Sequence, residues 1–332
     1  MRSYHRRQWI ILVAALAFAR ELPGQSRERP PRIGVLIPFP ETDREAQLQL
    51  SAFREELARL GWGTASKVVF DYRWGDGGLG RIRAAAKELV ALRPDVILAR
   101  TTPVTAALRT ETRDIPIVFV VVSDPVGDGL VESLNRPGGN ITGFTNVESS
   151  FGSKWLELLK AMAPALREVA VMYNPKTAPG AGSYYWRLVA DAAQATGIKA
   201  TAATVAEPSD IERVVSSLSG TPAGGLIVTP DVTTFSNHRL IISLAAARRV
   251  PAIYAWPSAP EGGGLMSYGV EYIDLYTRAA RYVDRILRGT RPGELPIQQP
   301  TSFQLIINLT AAKALGLSVP QDLLLRAERL IR

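Results

Sequence analysis

Cysteine is absent from all 332 residues, and this absence removes several kinds of function at once. Without thiols the chain forms no disulfide, no thiolate nucleophile and no thiolate metal site. Histidine is almost as scarce, since only His5 and His238 occur. His5 lies in the N-terminal leader described below, so His238 is the single imidazole of the folded part. Catalytic triads and histidine-based metal sites are nearly excluded, and we expect no metal and no catalytic residue.

The common nucleotide and hydrolase motifs are also missing. The stretch SDPVGDGLVESLNRPGGNITG (123–143) begins with Gly127-x-Gly129 but continues to Glu132, so it does not complete the dinucleotide fingerprint. No phosphate-binding G-x-x-x-x-G-K-[ST] and no G-x-S-x-G nucleophile elbow occurs anywhere. The sequence therefore predicts no cofactor. An enzyme that works through carboxylates alone stays open as an alternative.

The first residues have the pattern of a secretory signal. Arg2, Arg6 and Arg7 precede an apolar run from Trp9 to Ala19, which is too short to cross a bilayer comfortably and ends in small residues. We predict a cleaved signal peptide over residues 1–24, with a membrane anchor as the alternative. Because no cysteine is available for lipid attachment, the mature protein is expected to be free of the membrane. An exported chain without disulfides suggests a bacterial periplasm.

The charge of the chain gives little reason to expect a nucleic-acid partner. The formal net charge is +8, and residues 1–24 hold four arginines and one glutamate, so their removal leaves +5. No dense basic cluster remains in the mature part, and charged residues make up 21% of the chain, an ordinary share for a folded protein. The surface charge is interpreted as solvated.

Strand and helix patterns alternate along the chain and then begin again. Short apolar runs separated by helical periodicity predict βαβ units with parallel sheets, first up to residue 122 and again from residue 167. The last 65 residues or so are too few for a third domain, so they are expected to return to the two sheets, and several crossings between two lobes make a hinge. The predicted strands are 32–39, 67–74, 95–99, 115–122, 167–174, 198–205, 224–231, 250–256, 264–270 and 301–309.

Most predicted strands end in a polar or aromatic residue beside a proline. Ligands of open parallel sheets bind beyond the carboxyl ends of the strands, and rigid proline-flanked rims lower the ordering cost of binding. Helix capping alone is the simpler alternative, with Thr102 and Asp124 placed as N-caps. The exits are Pro38-Phe39-Pro40, Thr101-Thr102-Pro103, Ser123-Asp124-Pro125, Asn174-Pro175, Thr229-Pro230-Asp231 and Trp256-Pro257.

Three segments carry a family resemblance: 123–143, VAVMYNP (169–175), and the long stretch 262–317 that begins GGGLMSYGV. They resemble the ABC-transporter substrate-binding proteins that include the tryptophan-binding members, over about residues 32 to 330. The resemblance implies the type I periplasmic binding fold, with two α/β lobes, three crossovers and a ligand cleft. The family's loop often reads Thr-Gly-Thr-Pro where this chain has Arg100-Thr101-Thr102-Pro103, which leaves the identity of the ligand open.

The predicted domains and function follow from this resemblance. Beyond the signal, the expected N-terminal lobe is 32–146 plus 270–298, and the C-terminal lobe is 147–269 plus 299–332. We expect a monomer that captures an aromatic or branched amino acid, or a related carboxylate, and delivers it to an ABC permease with its ATPase. A secreted carboxylate-dependent enzyme and a ligand-sensing module for a receptor are the alternatives.

The expected site draws on residues of both lobes. A ligand carboxylate is expected at Thr101, Thr102 and the backbone N–H groups of Ser123 and Asp124. A ligand ammonium needs a carboxylate, because a bare buried charge is costly; the candidates are Asp231, Glu261 and Asp124. Asn174 and Thr229 are further strand-exit candidates. The candidate aromatic wall consists of Phe39, Trp74, Tyr254, Trp256 and Tyr268, for each of which core packing is the alternative.

Overall fold

A computed structural model describes residues 29–64, 67–76, 78–219 and 223–332. The predicted signal peptide lies outside these residues. Within the described ranges, no helix combines the length and the apolar character needed to cross a membrane.

The first sheet has five parallel strands in the order β2-β1-β3-β4-β5. Its strands are almost entirely buried except β2 at the edge, as expected for a parallel sheet covered by helices on both faces. The elements are β1 (Arg32–Ile37), α1 (Arg44–Leu57), β2 (Val69–Trp74), α2 (Leu79–Ala91), β3 (Val96–Arg100), α3 (Thr102–Glu111), β4 (Ile117–Val122) and β5 (Ile141–Thr145).

The second sheet has seven strands in the order β12-β11-β10-β9-β8-β6-β7, of which β10 and β11 pair antiparallel. Its first elements are α4 (Phe151–Met162), β6 (Glu168–Tyr173), α5 (Ser183–Thr196), β7 (Lys199–Thr204), α6 (Pro208–Leu218), β8 (Gly224–Val228), α7 (Val232–Ser236), α8 (His238–Ala247) and β9 (Ala252–Tyr254). The remaining elements of the chain are β10 (Met266–Val270), α9 (Tyr272–Leu287), β11 (Phe303–Asn308), α10 (Leu309–Ala314), α11 (Gln321–Arg326) and β12 (Arg329–Ile331).

The tail of the chain serves both sheets. Helix α9 follows β10 of the second sheet directly, yet its apolar face packs on α1 and on the first sheet, where Leu275, Ala279 and Val283 are fully buried. The chain then bridges to the first sheet at Phe144 and Gln298 before β11 returns to the second. It therefore crosses between the sheets three times: after β5, after β10 and before β11. The predicted plan of two α/β lobes joined by three segments is confirmed.

Candidate functional site

The carboxyl ends of strands from both sheets meet around a narrow cavity. The surrounding side chains leave free room in it for only about one water molecule. The two sheets are therefore in a closed arrangement. The lining residues are Phe39, Arg100, Thr101 and Val121 with Tyr272 from the first lobe, and Pro230, Asp231 and Phe235 from the second.

Arg100, the last residue of β3, dominates this cavity. Its side chain is 1% exposed, and its guanidinium carbon lies 4.7 Å from the ring centre of Phe39, 5.3 Å from that of Phe235 and 5.7 Å from that of Tyr272. Its Nε and Nη1 atoms have no hydrogen-bond partner among the described residues. Because aromatic faces attract a cation but supply no acceptor in the guanidinium plane, Arg100 is held by rings and left with unpaired donors.

Two backbone positions at the cavity are strained. Thr101 has φ 79° and ψ 159°, a region that side-chain-bearing residues rarely occupy. Val121 has φ 59°, beside an irregularity in the pairing of β4 with β5 between Val120 and Val122. Bulges and strained residues cluster at functional sites because they re-aim side chains. The strain here points to the same cavity.

A buried chain of hydrogen bonds crosses from one lobe to the other beside the cavity. The Ser123 hydroxyl donates to the Asn146 amide oxygen at 2.9 Å and lies 2.8 Å from the Tyr185 hydroxyl. The Tyr185 hydroxyl in turn donates to the Pro230 carbonyl oxygen at 3.3 Å. Burial raises the pKa of Tyr185 well above its usual value, so this phenol is a neutral donor. These hydrogen bonds link the first lobe to the second across the closed cleft.

Further polar atoms of the first lobe are buried without a partner. At the ends of β3 and β5 these are the hydroxyl oxygens of Thr101 and Thr145 and the amide nitrogen of Asn146; elsewhere in the described part of this lobe they are Oε1 of Gln49, Oδ2 of Asp128 and the Tyr276 hydroxyl. Buried polar atoms are normally paired, since an unpaired one costs about 1–3 kcal/mol. The three at the ends of β3 and β5 add to the unpaired donors of Arg100, so this edge of the first sheet has spare hydrogen-bonding capacity.

Both carboxylate oxygens of Asp231, on the opposite wall, accept hydrogen bonds from nearby backbone N–H groups. Its Oδ1 accepts the backbone N–H groups of Thr233 at 2.7 Å and Thr234 at 3.0 Å, as the N-cap of α7. Its Oδ2 accepts the N–H of Asn174 at 2.7 Å. Burial raises the pKa of Asp231 to about 6, against the opposing effect of these donors. The carboxylate is directed at the turn rather than at the space between the sheets.

Two contacts close the rims of the cleft on either side. The Ser258 hydroxyl of the second lobe donates to Glu45 of α1 at 2.6 Å. On the other rim, the backbone N–H of Gly180 donates to Asp128 at 2.8 Å. Both are single polar contacts near the surface, which suits a clamp that opens and closes.

Comparisons with known proteins agree with this geometry. Residues 36–331 match the family model described as ABC transporter substrate binding protein. This chain belongs to the ABC transporter substrate-binding proteins. The family consists of solute-binding proteins that act outside the cytoplasm with a membrane permease.

The substrate-binding protein is similar to characterised relatives over most of its length. A tyrosine-binding protein of Clostridioides difficile is 27% identical, covering 86% of this chain and 80% of the relative. A crystal structure of a conserved domain protein from Vibrio cholerae is 30% identical with a TM-score of 0.82, covering 90% and 99% of the two chains. A structure in complex with L-Trp from Streptococcus pneumonia is 24% identical, with a TM-score of 0.83 and coverage of 91% and 100%. The last shows the shared fold.

Some of the residues predicted for the site of this substrate-binding protein do lie at the cleft. Phe39, Thr101 and Asp231 line the cavity, and Ser123 belongs to the buried hydrogen-bond chain beside it. Trp256 packs edge-on against Phe235 at 5.7 Å and is fully buried behind it.

Other predicted residues lie elsewhere. Glu261 forms an ion pair with Arg329 at 2.6 Å, and the half-buried Tyr268 packs on Phe151 and Phe303 at the margin of the core. Tyr254 lines a separate apolar pocket between α8 and α10. Trp74, from the edge strand β2, stacks on its neighbour Tyr72.

Asn174 and Thr229, also predicted for the site, are engaged in the frame of the second lobe. Asn174 donates to the Thr233 hydroxyl at 2.7 Å, and the Thr229 hydroxyl donates to the Met172 carbonyl at 2.8 Å. These residues shape the turn that carries Asp231.

Two capping predictions are wrong. Helix α3 begins at Thr102, so Thr101 occupies the N-cap position and Thr102 is already helical. No helix follows Asp124; instead its carboxylate accepts the Gly127 N–H at 2.8 Å within a series of turns. The glycines of this stretch permit that turn, since a side chain at Gly127 would collide with Asp124. The loop therefore shapes the rim of the cleft.

Sequence reasoning missed Arg100 as a site residue, together with Phe235, Tyr272, Tyr185 and Asn146. A basic residue that ends a buried strand was the available signal for Arg100, because a cation in such a run needs a partner. Within the described ranges, no group of three or more acidic or histidine side chains is placed to hold a metal ion.

Proposed function

We propose that this protein captures a small carboxylate-bearing solute between its two lobes and delivers it to an ABC permease. Aromatic or branched amino acids and related carboxylates are the candidate solutes. The observation that carries the proposal is the cavity between the sheets, where Arg100 and Thr101 present buried donors without partners.

The mechanism is closure of a clamp. The proposed moving units are 32–146 plus 270–298 and 147–269 plus 299–332, joined by the three crossing segments. The Phe39 and Phe235 rings, 4.6 Å apart across the cleft, must separate to admit a solute. A solute that contacts both lobes stabilises the closed state by the contacts it makes only there. The closed form then presents both lobes together to the permease.

The ligands of relatives support this class of solute. The Clostridioides difficile relative is named for tyrosine, and the Streptococcus structure holds L-Trp. The rings of Phe39, Phe235 and Tyr272 offer an apolar and aromatic surface of the kind that such side chains occupy.

We further propose that the protein is exported through a signal peptide to the periplasm and works there as a monomer.

The test is a thermal-shift screen of the purified protein against amino acids and carboxylic acids, followed by small-angle X-ray scattering with each hit. A bound solute at a hundred times its dissociation constant adds about 2.7 kcal/mol to the free energy of unfolding. We expect at least one hit that lowers the radius of gyration and is recovered chemically unchanged. A hit that is converted to a product would show an enzyme, and hits that leave the lobes open would contradict the clamp.

A further inference from the structure

Granted the proposed function, we propose that the solute is a monocarboxylate with an apolar body and no ammonium group, and that Arg100 pairs with its carboxylate. The cleft is expected to prefer the acid that lacks the amino group over the matching amino acid. This preference rests on which polar atoms of the cleft are free and which are already in use.

The unpaired polar groups at the ends of β3 and β5 are donors or donor-capable. Nε and Nη1 of Arg100 and Nδ2 of Asn146 only donate, and the Thr101 and Thr145 hydroxyls donate as readily as they accept. The guanidinium fork matches a carboxylate in a bidentate arrangement. One guanidinium supplies one positive charge, so a monoanion balances it, whereas a dianion brings one charge too many.

The carboxylate that lines the cavity and those of α1 are already in use, and the one unpaired carboxylate oxygen at the rim, Oδ2 of Asp128, does not line the cavity. Asp231 caps α7 and holds the N–H of Asn174, as described above. Asp43 caps α1 by accepting the Ala46 N–H at 2.7 Å. Glu45 accepts Gln49 at 3.0 Å and Ser258 at 2.6 Å. A ligand ammonium would have to share one of these oxygens with its present donors, and a buried ammonium without a full set of acceptors is costly.

A purely structural role for Arg100 fits the structure less well. Buried arginines that hold a fold together have acceptors, since a buried charge without them costs several kcal/mol. None of the ion pairs in the described part of the chain includes Arg100. The three rings around it fix the plane of the guanidinium, which prepares it for an anion that arrives from outside.

The experiment compares matched solutes by isothermal titration calorimetry at pH 7.5. Each amino acid is paired with the acid that lacks its amino group: L-phenylalanine with 3-phenylpropionate, L-tyrosine with 3-(4-hydroxyphenyl)propionate, L-tryptophan with indole-3-propionate, and L-leucine with 4-methylpentanoate. The amide of the best acid and a phosphonate of the same body complete the set. We expect the best acid to bind at least about 30-fold more tightly than its amino acid and than its amide.

The variants separate an anion anchor from a structural residue. Arg100→Met is expected to lower the affinity for the best acid at least about 30-fold, with the melting temperature of the ligand-free protein unchanged or raised. Arg100→Lys keeps the positive charge but loses the two parallel donors of the guanidinium, so its affinity for the best acid is expected to lie between those of the parent and Arg100→Met. Arg213→Met removes an exposed arginine paired with Asp210 on α6 and is the control for loss of one charge; its affinity should equal that of the parent.

Each of the other possible results contradicts one part of the proposal. An amino acid that binds as tightly as its acid shows that the cleft accepts an ammonium, and the inference fails while the proposed function stands. Tighter binding of the phosphonate overturns the monocarboxylate. A lower melting temperature of Arg100→Met with unchanged affinity makes Arg100 structural. If neither series binds and the scattering never changes, the proposed function itself fails.

Discussion

The two lobes present opposite kinds of edge to the same cleft. Both edges are strand exits beside a proline, and both carry polar residues. At the first edge Arg100 and Thr101 hold unpaired donors on strained backbone. At the second edge Asp231 accepts three backbone N–H groups, and Asn174 pairs with Thr233.

This difference assigns different work to the lobes. The turn at Asp231, whose polar groups are already satisfied, gains little from a polar ligand, so it contributes shape, and the indole N–H of Trp256 behind Phe235 is an unpaired donor of this edge among the described residues. An edge with unpaired donors gains the full value of each hydrogen bond when the ligand arrives. We therefore propose that the first lobe determines which solute binds and that the second determines how it is enclosed.

The sharpest test of the comparison is Asp231→Ala in the second edge. The substitution leaves the N–H groups of Asn174, Thr233 and Thr234 without their acceptor, and we expect the free energy of unfolding to fall by about 3 kcal/mol. Urea denaturation measures the change. The matched change in the first edge, Arg100→Met, should move stability the other way or not at all. Equal losses in the free energy of unfolding for Asp231→Ala and Arg100→Met would show that the two edges do not differ in this way.

The pH dependence of stability probes the same carboxylate. Because the pKa of Asp231 is raised to about 6 in the folded protein, the folded state binds its proton more tightly than the unfolded state, where the pKa is near 3.8. The protonation of Asp231 therefore adds most to the free energy of unfolding below pH 4. This stabilisation, up to about 3 kcal/mol, is lost as the pH rises through about 6. Denaturation of the parent and of Asp231→Asn between pH 4 and 7.5 measures the difference. Parallel curves would show that Asp231 titrates normally.

At the first edge, Thr101→Gly should stabilise the protein. Glycine adopts φ 79° and ψ 159° without strain, and the relief of about 1–3 kcal/mol exceeds the extra entropy that glycine loses on folding. We expect a net gain of about 1 kcal/mol together with weaker binding, since the hydroxyl is lost. Thr102→Gly, one residue into α3, is the control and should destabilise. A loss of stability at position 101 would mean that the backbone there is relaxed.

The smallest effect is expected from Tyr185→Phe, which removes the hydroxyl that links Ser123 of the first lobe to Pro230 of the second. The closed state loses about 1 kcal/mol, so the affinity for the solute should fall about fivefold. Tyr254→Phe is the control, because its buried hydroxyl has no partner among the described residues. An equal loss in the control would place Tyr254 in the site after all.

The fold was accessible from the sequence because its signals are local. The apolar runs that became β1, β3 and β4 and the periodicity of α1 and α9 each lie within one short window. Membership of Phe39, Thr101 and Asp231 in the cleft followed from the rule for strand ends. That rule also selected residues such as Thr229, which do not line the cavity. It identifies the edge of the sheet where a ligand binds, but not which side chains at that edge point into the cleft.

What the amino-acid sequence determined by itself is the order of the strands other than β5 and β12, the proline-flanked exits and the exclusion of thiol, imidazole and nucleotide chemistry. Only the tertiary structure decided which polar groups are free. Asp231 is satisfied by donors from Asn174 and its own turn, while Arg100 is surrounded by rings from positions 39, 235 and 272. Hydrogen bonds act over about 3 Å, and contacts between residues more than fifty positions apart leave no trace in a local pattern.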